Sequence, residues 1–486
     1  MKRLFGTDGI RGEAGRFPLD AATVRVAGRS LARHLAERAS GNSAPRIVVG
    51  RDTRESGAWI EAALIAGATE AGARVDSAGV ITTPGVAYLA RVLPADAGVV
   101  ISASHNPYQD NGIKIFAPSG RKLDDATERL IEADINAATQ PSDKGEAPTL
   151  DESAAPPLNE GDAPPLNESD APPQASDSDA LIADSSSAAE LRSRYLDYLA
   201  GEIAAGLSLD GLRLVIDCAN GASSQLAPAL FRKLGAQVTA INDAPDGRNI
   251  NLDCGSLHIE GLRRTTLAEG ADLGVAFDGD ADRALFVDAR GEFVDGDATL
   301  WVMAQALAAR GELSDDTIVA TVMSNIGLEL ALRAKNWRLE RTDVGDKYVL
   351  EKLLQTGASL GGEQSGHLIF PRLSLAGDGM LTTLCLLRAM RESQLALHEL
   401  TAGFTRYPQV LVNVRVREKL PFGEVAAIAR AARETEARLG PKGRLLLRYS
   451  GTESLARVMI EGEQQDSIER LAHSLAQVIG DALGNG

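Results

Sequence analysis

Short apolar runs alternate with longer helix-compatible stretches over most of this chain. R-I-V-V-G-R-D (46–52), R-L-V-I-D-C-A-N-G (213–221) and T-I-V-A-T-V-M-S-N (317–325) are rich in branched aliphatic residues, and each closes on Asp, Asn or Gly. Runs of this kind predict strands buried on both faces, as in a parallel sheet. Helix-compatible sequence follows each of them, the order expected of βαβ units. Towards the C-terminus the pattern changes. Q-V-L-V-N-V-R-V (409–416) alternates with a period of two, and a helical stretch runs from Phe422 to Leu439. R-L-L-L-R-Y-S-G-T-E from Arg444 and A-R-V-M-I-E-G with its leading Leu455 come next, which predicts an antiparallel sheet with helices. The fold class is α/β: three related α/β domains plus a C-terminal α+β domain.

One segment interrupts this rhythm. A-P-P-L-N-E-G-D (155–162) and A-P-P-L-N-E-S-D (163–170) are consecutive octapeptides, and A-P-P begins again at 171. Paired prolines remove the donors that helix and sheet require, and like charges oppose collapse. Residues 141–187 are expected to be an extended acidic linker. The expected division is therefore 1–140, the insert 141–187, then 188–290, 291–404 and 405–486.

The formal charge of −17 is concentrated there, since residues 141–190 hold 12 Asp or Glu against one Lys. The remainder is only mildly acidic and has no basic stripe, so a nucleic-acid partner is not expected. No apolar run reaches the roughly 18–20 residues of a membrane span, and the polar N-terminus does not predict a secretory signal. Three widely spaced cysteines suit neither a disulfide framework nor a zinc site. A cytoplasmic protein is the expectation.

Two segments carry the clearest chemistry. F-D-G-D-A-D-R (277–283) places Asp278, Asp280 and Asp282 after an expected strand end, where extended backbone would project them to one side. Carboxylates this close repel unless a cation neutralises them, and oxygen-only ligands favour Mg²⁺ or a similar hard ion. An EF-hand is excluded, because Arg283 stands where its Gly is required and Ala289 where its Glu belongs. I-S-A-S-H-N-P-Y-Q-D-N-G-I-K-I (101–115) sets Ser104 beside His105 in a loop rich in Asn, Pro and Gly. A serine hydroxyl needs a base or an electrostatic environment to act as nucleophile, and His105 and Lys114 are near in sequence. The same S-H-N-P could instead be a turn in which Ser and Asn bond backbone amides.

Three further segments have the composition of anion contacts. They are G-T-D-G-I-R-G (6–12) with Arg11, G-G-E-Q-S-G-H (361–367) with Glu363, Ser365 and His367, and R-Y-S-G-T-E-S (448–454) with Arg448, Ser450, Gly451 and Thr452, near Arg457. Small residues admit backbone N–H groups to a phosphate, while hydroxyls and guanidinium complete the cradle.

In this order and spacing the motifs resemble those of the α-D-phosphohexomutase superfamily, over essentially the whole chain except the acidic insert. T-D-V-G-D-K-Y-V (342–349) resembles a segment of its amino-sugar branch. The resemblance implies four domains around a central cleft and a Mg²⁺-dependent phosphoserine enzyme. Ser104 would carry the phosphoryl group and, with Asp278, Asp280 and Asp282, hold the ion. Arg11, His105, Lys114 and Arg283 would surround the transferring group. Glu363, Ser365 and His367 would meet the sugar, and Arg448, Ser450, Gly451, Thr452 and Arg457 its distal phosphate. Departures are Tyr449 and Ser454 where relatives usually have Pro, and Lys347 where Arg is more usual.

The implied reaction interconverts glucosamine 6-phosphate and glucosamine 1-phosphate through a 1,6-bisphosphate, towards UDP-N-acetylglucosamine and cell-wall precursors. A small sugar phosphate is the expected partner, with a hexosamine or hexose 1,6-bisphosphate as primer. A kinase or a bisphosphate donor would first phosphorylate Ser104, and a homodimer is compatible with this reading. Its alternative within the superfamily is a phosphomannomutase/phosphoglucomutase. Outside it stand an aspartyl phosphatase using Asp278 and Asp280, and a sugar-phosphate-binding regulator without catalysis.

Overall fold

The computed structural model describes residues 3–6, 8–38, 44–139, 186–450 and 453–484. The segment expected to be an acidic insert at 141–187 lies outside them, except for Ser186 and Ser187, which open the helix Ser186–Tyr198.

Four sheets follow one another along the chain. The first contains β1 (Phe5–Gly6), β2 (Gly9–Glu13), β3 (Arg46–Arg51), β4 (Arg74–Val80), β5 (Ala97–Ile101) and β6 (Asp110–Phe116), in the order β1-β2-β6-β5-β3-β4. The second contains β7 (Arg213–Asp217), β8 (Gln237–Ile241), β9 (Leu273–Phe277), β10 (Ala284–Asp288) and β11 (Phe293–Val294), in the order β11-β10-β9-β7-β8. The third contains β12 (Thr317–Thr321), β13 (Arg338–Thr342), β14 (Gly361–Gly362) and β15 (Leu368–Ile369), in the order β13-β12-β14-β15. The three apolar runs of the sequence are β3, β7 and β12, and each pairs in parallel with both its neighbours. The mixed α/β architecture matches the fold class expected from the pattern.

The fourth sheet is antiparallel, β16 (Gln409–Arg415), β17 (Arg444–Tyr449) and β18 (Leu455–Glu461), in the order β16-β18-β17. β16 alternates between half-buried and exposed residues, as its period of two requires. The helices Ala426–Leu439 and Gln465–Leu483 cover one face.

Apolar packing divides the molecule unequally. One continuous cluster runs from the first sheet (Val48, Val100) through the second (Ile216, Phe277, Phe286) into the third (Ile318, Ala320). The fourth sheet closes a separate core around Val458, Ile460, Leu471 and Leu475. Its joint to the third unit is polar instead. The buried Glu461 carboxylate accepts from Asn325 Nδ2 (3.2 Å), the Ile326 amide (3.1 Å) and Arg444 Nε (2.8 Å). Asn325 in turn exchanges bonds with the Tyr407 backbone, at 3.0 Å to its carbonyl and 2.9 Å from its amide. No helix among the described residues is long and apolar enough to cross a membrane.

Another polar joint ties the Ser186–Tyr198 helix to the third unit. Tyr195 Oη donates to Asp378 Oδ2 at 2.8 Å, and Asp378 Oδ1 caps the helix Gly379–Ser393 by accepting from the Leu381 amide at 3.0 Å. Burial pushes the Asp378 carboxyl up to about 6, against the helix-cap and tyrosine hydrogen bonds that favour its charged form. A carboxyl with a raised native pKa holds its proton longer when folded. Its contribution to stability is full below about pH 4 and is lost as pH rises through about 6. Asp378→Asn keeps the cap without that charge. Its thermal midpoint should gain on the native protein between pH 4 and pH 7, by the equivalent of about 2–3 kcal/mol; parallel melts at the two pH values check this.

Candidate active site

The loops that carry chemistry leave the carboxyl ends of parallel strands, where open α/β sheets place their ligand crevices. β3 leads to Asp52 and Arg54, β5 to Ser104, β9 to Asp278 and β14 to Glu363.

Ser104 is fully buried and adopts a left-handed backbone conformation, φ 53°. That conformation costs a non-glycine residue about 1–2 kcal/mol, so the surroundings must hold it. Its amide donates to Ser102 Oγ at 2.9 Å. Its carbonyl accepts from Asn251 Nδ2 (2.9 Å) and from Arg54 Nη2 (3.2 Å), and both donors also reach the Asn106 carbonyl. Arg54 is itself buried against Asp52. Arg11 Nη1 donates to the Ala103 carbonyl at 3.1 Å. With its backbone fixed from three sides, Ser104 aims its hydroxyl at the second unit: Oγ donates to Asp278 Oδ2 at 2.5 Å, while His105 Nδ1 lies 3.3 Å from Oγ.

The three aspartates converge by a different route from the one expected. Residues 278–282 are not extended backbone but a turn, with the Ala281 amide donating to the Asp278 carbonyl at 3.0 Å and Ala281 at φ 56°. The rise of an extended strand would set Asp278 about 13 Å from Asp282 even on one face, whereas the turn brings one carboxylate oxygen of each within 4.8 Å of the others. Every unit of the shared core clamps this turn. Thr83 donates its amide to the Asp280 carbonyl (3.0 Å) and its hydroxyl to Asp280 Oδ2 (2.5 Å). The Ala222 amide donates to the Gly279 carbonyl (2.8 Å), and the Gly379 amide to that of Ala281 (3.0 Å). A Cβ on Gly279 would lie 2.5 Å from the Ser104 carbonyl oxygen, so only glycine lets the two loops approach this closely.

Charge at the junction is partly balanced. Lys114, only 1% exposed, donates from Nζ to Asp280 Oδ2 at 2.8 Å and lies 3.2 Å from Asp8 Oδ2 and 3.6 Å from Asp282 Oδ2. Arg283 Nε lies 3.7 Å from Asp282 Oδ1 and 4.0 Å from Asp278 Oδ2. Burial would depress the Lys114 ammonium, but these carboxylates outweigh it and raise its pKa. Burial would likewise raise Asp280, yet Lys114 holds it below the usual carboxylate range. At Asp278 the balance tips the other way: burial and the Asp282 and Asp280 charges outweigh Arg283 and the Ser104 hydrogen bond and raise its pKa well above normal. Burial, with Arg283 and Arg11 beside it, lowers the His105 imidazole to about 4, so it is neutral at pH 7.

This site fits a hard divalent cation. Two unlike-placed cations face three carboxylates whose mutual repulsion is about 3–4 kcal/mol per pair at an effective dielectric of ~20. Asp280 Oδ1 and Asp282 Oδ1 are moreover buried with no hydrogen-bond partner. Free lone pairs of this kind are what an oxygen-coordinated ion occupies.

The 361–367 loop adjoins this junction. The Ala284 amide, next to Arg283, donates to the Gly366 carbonyl at 3.2 Å. Glu363 Oε1 accepts from the Gly345 amide (3.0 Å), Ser365 Oγ lies 3.5 Å from Glu363 Oε2, and buried His367 points Nε2 to within 4.0 Å of Asp346 Oδ2. The 448–457 group stands apart. Arg448 and Arg457 are register partners on β17 and β18, and Lys419 Nζ donates to the Ser450 carbonyl at 2.7 Å. Among the described residues no hydrogen bond or ion pair joins this group to the Ser104 loop, and Gly451 and Thr452 lie outside those residues.

Several residues at the site were not singled out from the sequence: Arg54, Thr83, Asn251, and a set formed by Asp8, Lys122 and Asp346. Arg54 and Asn251 act through backbone carbonyls, which leave no spacing signature. Lys122 and Asp346 meet only because the first and third units face each other.

Together these features set a serine hydroxyl against a carboxylate triplet inside a multi-unit α/β cleft. The chain belongs to the phosphoglucomutase/phosphomannomutase family: the alpha/beta/alpha domains I, II and III match residues 2–142, 193–291 and 295–407, and the C-terminal domain matches residues 411–478. Within the family it is similar to phosphoglucosamine mutases. That of Solibacter usitatus is 49% identical, covering 99% of each chain, and that of Koribacter versatilis is 44% identical, covering 100% of this chain and 98% of its own. Among solved structures, a phosphoglucomutase/phosphomannomutase family protein from Burkholderia thailandensis superposes with a TM-score of 0.73 at 22% identity, covering 99% of this chain and 97% of that one. Aspergillus fumigatus N-acetylphosphoglucosamine mutase, solved with GlcNAc-6P and magnesium, gives 0.62 at 18%, covering 99% and 96%. These two likenesses concern the fold.

Gly279→Ala tests the contact between the two loops. Its methyl group must displace the Ser104 carbonyl, so mutase turnover should fall at least about tenfold, with a loss of about 1–3 kcal/mol in stability. Steady-state rates and melting midpoints measure both, and native values for the variant would show the close approach to be dispensable.

Proposed function

We propose that this protein is a phosphoglucosamine mutase that interconverts glucosamine 6-phosphate and glucosamine 1-phosphate through phosphorylated Ser104. The observation that carries the reading is the 2.5 Å bond from Ser104 Oγ to Asp278, within the carboxylate triplet. The near full-length similarity to phosphoglucosamine mutases supports the choice of substrate.

In this reading the bond from Ser104 Oγ to phosphorus breaks as the free hydroxyl of the sugar forms its own bond to phosphorus. A 1,6-bisphosphate results, and turning it over returns the other phosphoryl group to Ser104. Lys114 keeps its proton and acts as a fixed positive charge beside the transferring group, with Arg11 and Arg283. Neutral His105, 3.3 Å from Ser104 Oγ, is the group placed to take and return a proton. Asp278, Asp280, Asp282 and the Ser104 phosphate would hold Mg²⁺, whose charge offsets that of the phosphoryl group. Glu363, Ser365 and His367 would bind sugar hydroxyls, and Arg448, Ser450, Gly451, Thr452 and Arg457 the phosphate not being transferred. A hexose or hexosamine 1,6-bisphosphate would prime the enzyme, and the cytoplasm is where such sugar phosphates would be met.

Ser104→Ala should abolish turnover of glucosamine 6-phosphate in an assay primed with glucose 1,6-bisphosphate, and should remove the one-phosphate mass increment seen in the primed native protein. Full activity in this variant would rule out Ser104 as the phosphoryl carrier. Chelation with EDTA should reduce the native rate at least about a hundredfold, and added Mg²⁺ should restore it.

A further inference from the structure

The cleft beside the carboxylate triplet holds a cavity of about 480 Å³, bounded on one wall by Lys114, Phe116 and Lys122 and on the other by Asp346, His367 and Ile369. A sugar phosphate needs cations here for its phosphates, and the lysines supply them. Less expected is the number of acids in the same cavity that neither hold the nucleophile nor belong to the triplet: Asp8, Asp124, Asp125, Asp346 and Glu351.

Four of these are otherwise engaged or displaced. Asp8 is shared among Arg11, Lys114 and Lys122. Asp124 caps the helix Asp125–Thr139, accepting from the Thr127 amide, and pairs with Arg38 at 3.0 Å. Asp125 pairs with Lys347 and lies 3.7 Å from Arg3. Glu351 is exposed. Asp346 differs. It opens the helix Asp346–Thr356, and its carboxylate faces the cavity beside His367. Its oxygens meet the Lys122 ammonium at 2.8 and 2.7 Å, and the preceding amide, that of Gly345, is anchored on Glu363. Lys122 comes from the opposite wall, with a second carboxylate, Asp8 Oδ1, at 2.6 Å to retain it. The position between Asp346 and Asp8 thus already accommodates an ammonium group.

Resting on the reading of the substrate as a 2-amino sugar phosphate, we propose that Asp346 is the residue that selects the amino sugar, by accepting a charge-assisted hydrogen bond from the substrate's C2 ammonium as Lys122 shifts to Asp8. An ammonium brought into a half-closed cleft is costly without an anionic acceptor, whereas a neutral 2-hydroxyl has no such need. A carboxylate at this point therefore favours the amino sugar over the glucose analogue, in the way that a site built for one polar group discriminates against its isostere. The carboxylate also accepts from the Lys347 amide at 2.8 Å, which fixes its rotamer.

Asp346→Asn preserves shape and that amide bond. The expected result is a fall of at least about tenfold in the ratio of kcat/KM for glucosamine 6-phosphate to kcat/KM for glucose 6-phosphate. Equal losses on both substrates, as a strut between the two walls would give, overturn the proposal, and so does an unchanged ratio. A native enzyme that does not turn over glucosamine 6-phosphate at all would instead sink the substrate reading itself. Should the variant not fold, calorimetric binding to the native protein decides. The affinity advantage of glucosamine 6-phosphate over glucose 6-phosphate should shrink as pH is raised until the substrate amine is neutral; an advantage that persists with the neutral amine overturns the assignment.

Discussion

The hydrogen bond from Ser104 to Asp278 joins two loops that lie far apart in the chain, and the rest of the structure exists to make that contact tolerable. Burying three carboxylates within 4.8 Å of one another is unfavourable unless cations, hydrogen-bond donors and a metal ion offset their charge. Lys114 and Arg283 supply part of the offset, Thr83 holds Asp280, and the lone pairs left over on Asp280 and Asp282 define what a divalent ion would complete. The strained backbone of Ser104 is held by Arg54 and Asn251 through carbonyl oxygens. Stability and reactivity are therefore in tension at a single point, as is common at sites that hold a poised nucleophile.

The units around this junction are joined in two different ways. A continuous apolar core fuses the first three units, and the turn at 278–282 takes backbone hydrogen bonds from all three. The fourth unit has its own core and meets the third through Asn325, Glu461, Arg444 and the Tyr407 backbone. A polar joint of this size is easier to rotate than a shared apolar core. The two-part construction suits a reaction in which a phosphorylated sugar must enter, be shielded from water and be turned end for end.

Much was legible in the linear pattern. The apolar runs at 46–52, 213–221 and 317–325 are central parallel strands because a strand covered on both faces cannot alternate. The period of two at 409–416 marks the half-exposed strand of the fourth sheet. Ser104 and the aspartates stood out because their chemistry is concentrated in a few consecutive residues. The expectation that Asp278, Asp280 and Asp282 line up along extended backbone did not hold, because a left-handed Ala281, with its amide bonded to the Asp278 carbonyl, folds them into a turn.

The residue sequence by itself determined the element types, the sheet class and the identity of the reactive groups, since each depends on local periodicity or on side-chain chemistry. Tertiary structure alone decided which groups meet. Arg54 and Asn251 reach Ser104 across 50 and 147 residues of chain, and Lys122 reaches Asp346 across 224. Contacts of that separation are set by how three sheets dock on a common apolar core, and no local pattern encodes the distance between two loops that the packing brings together.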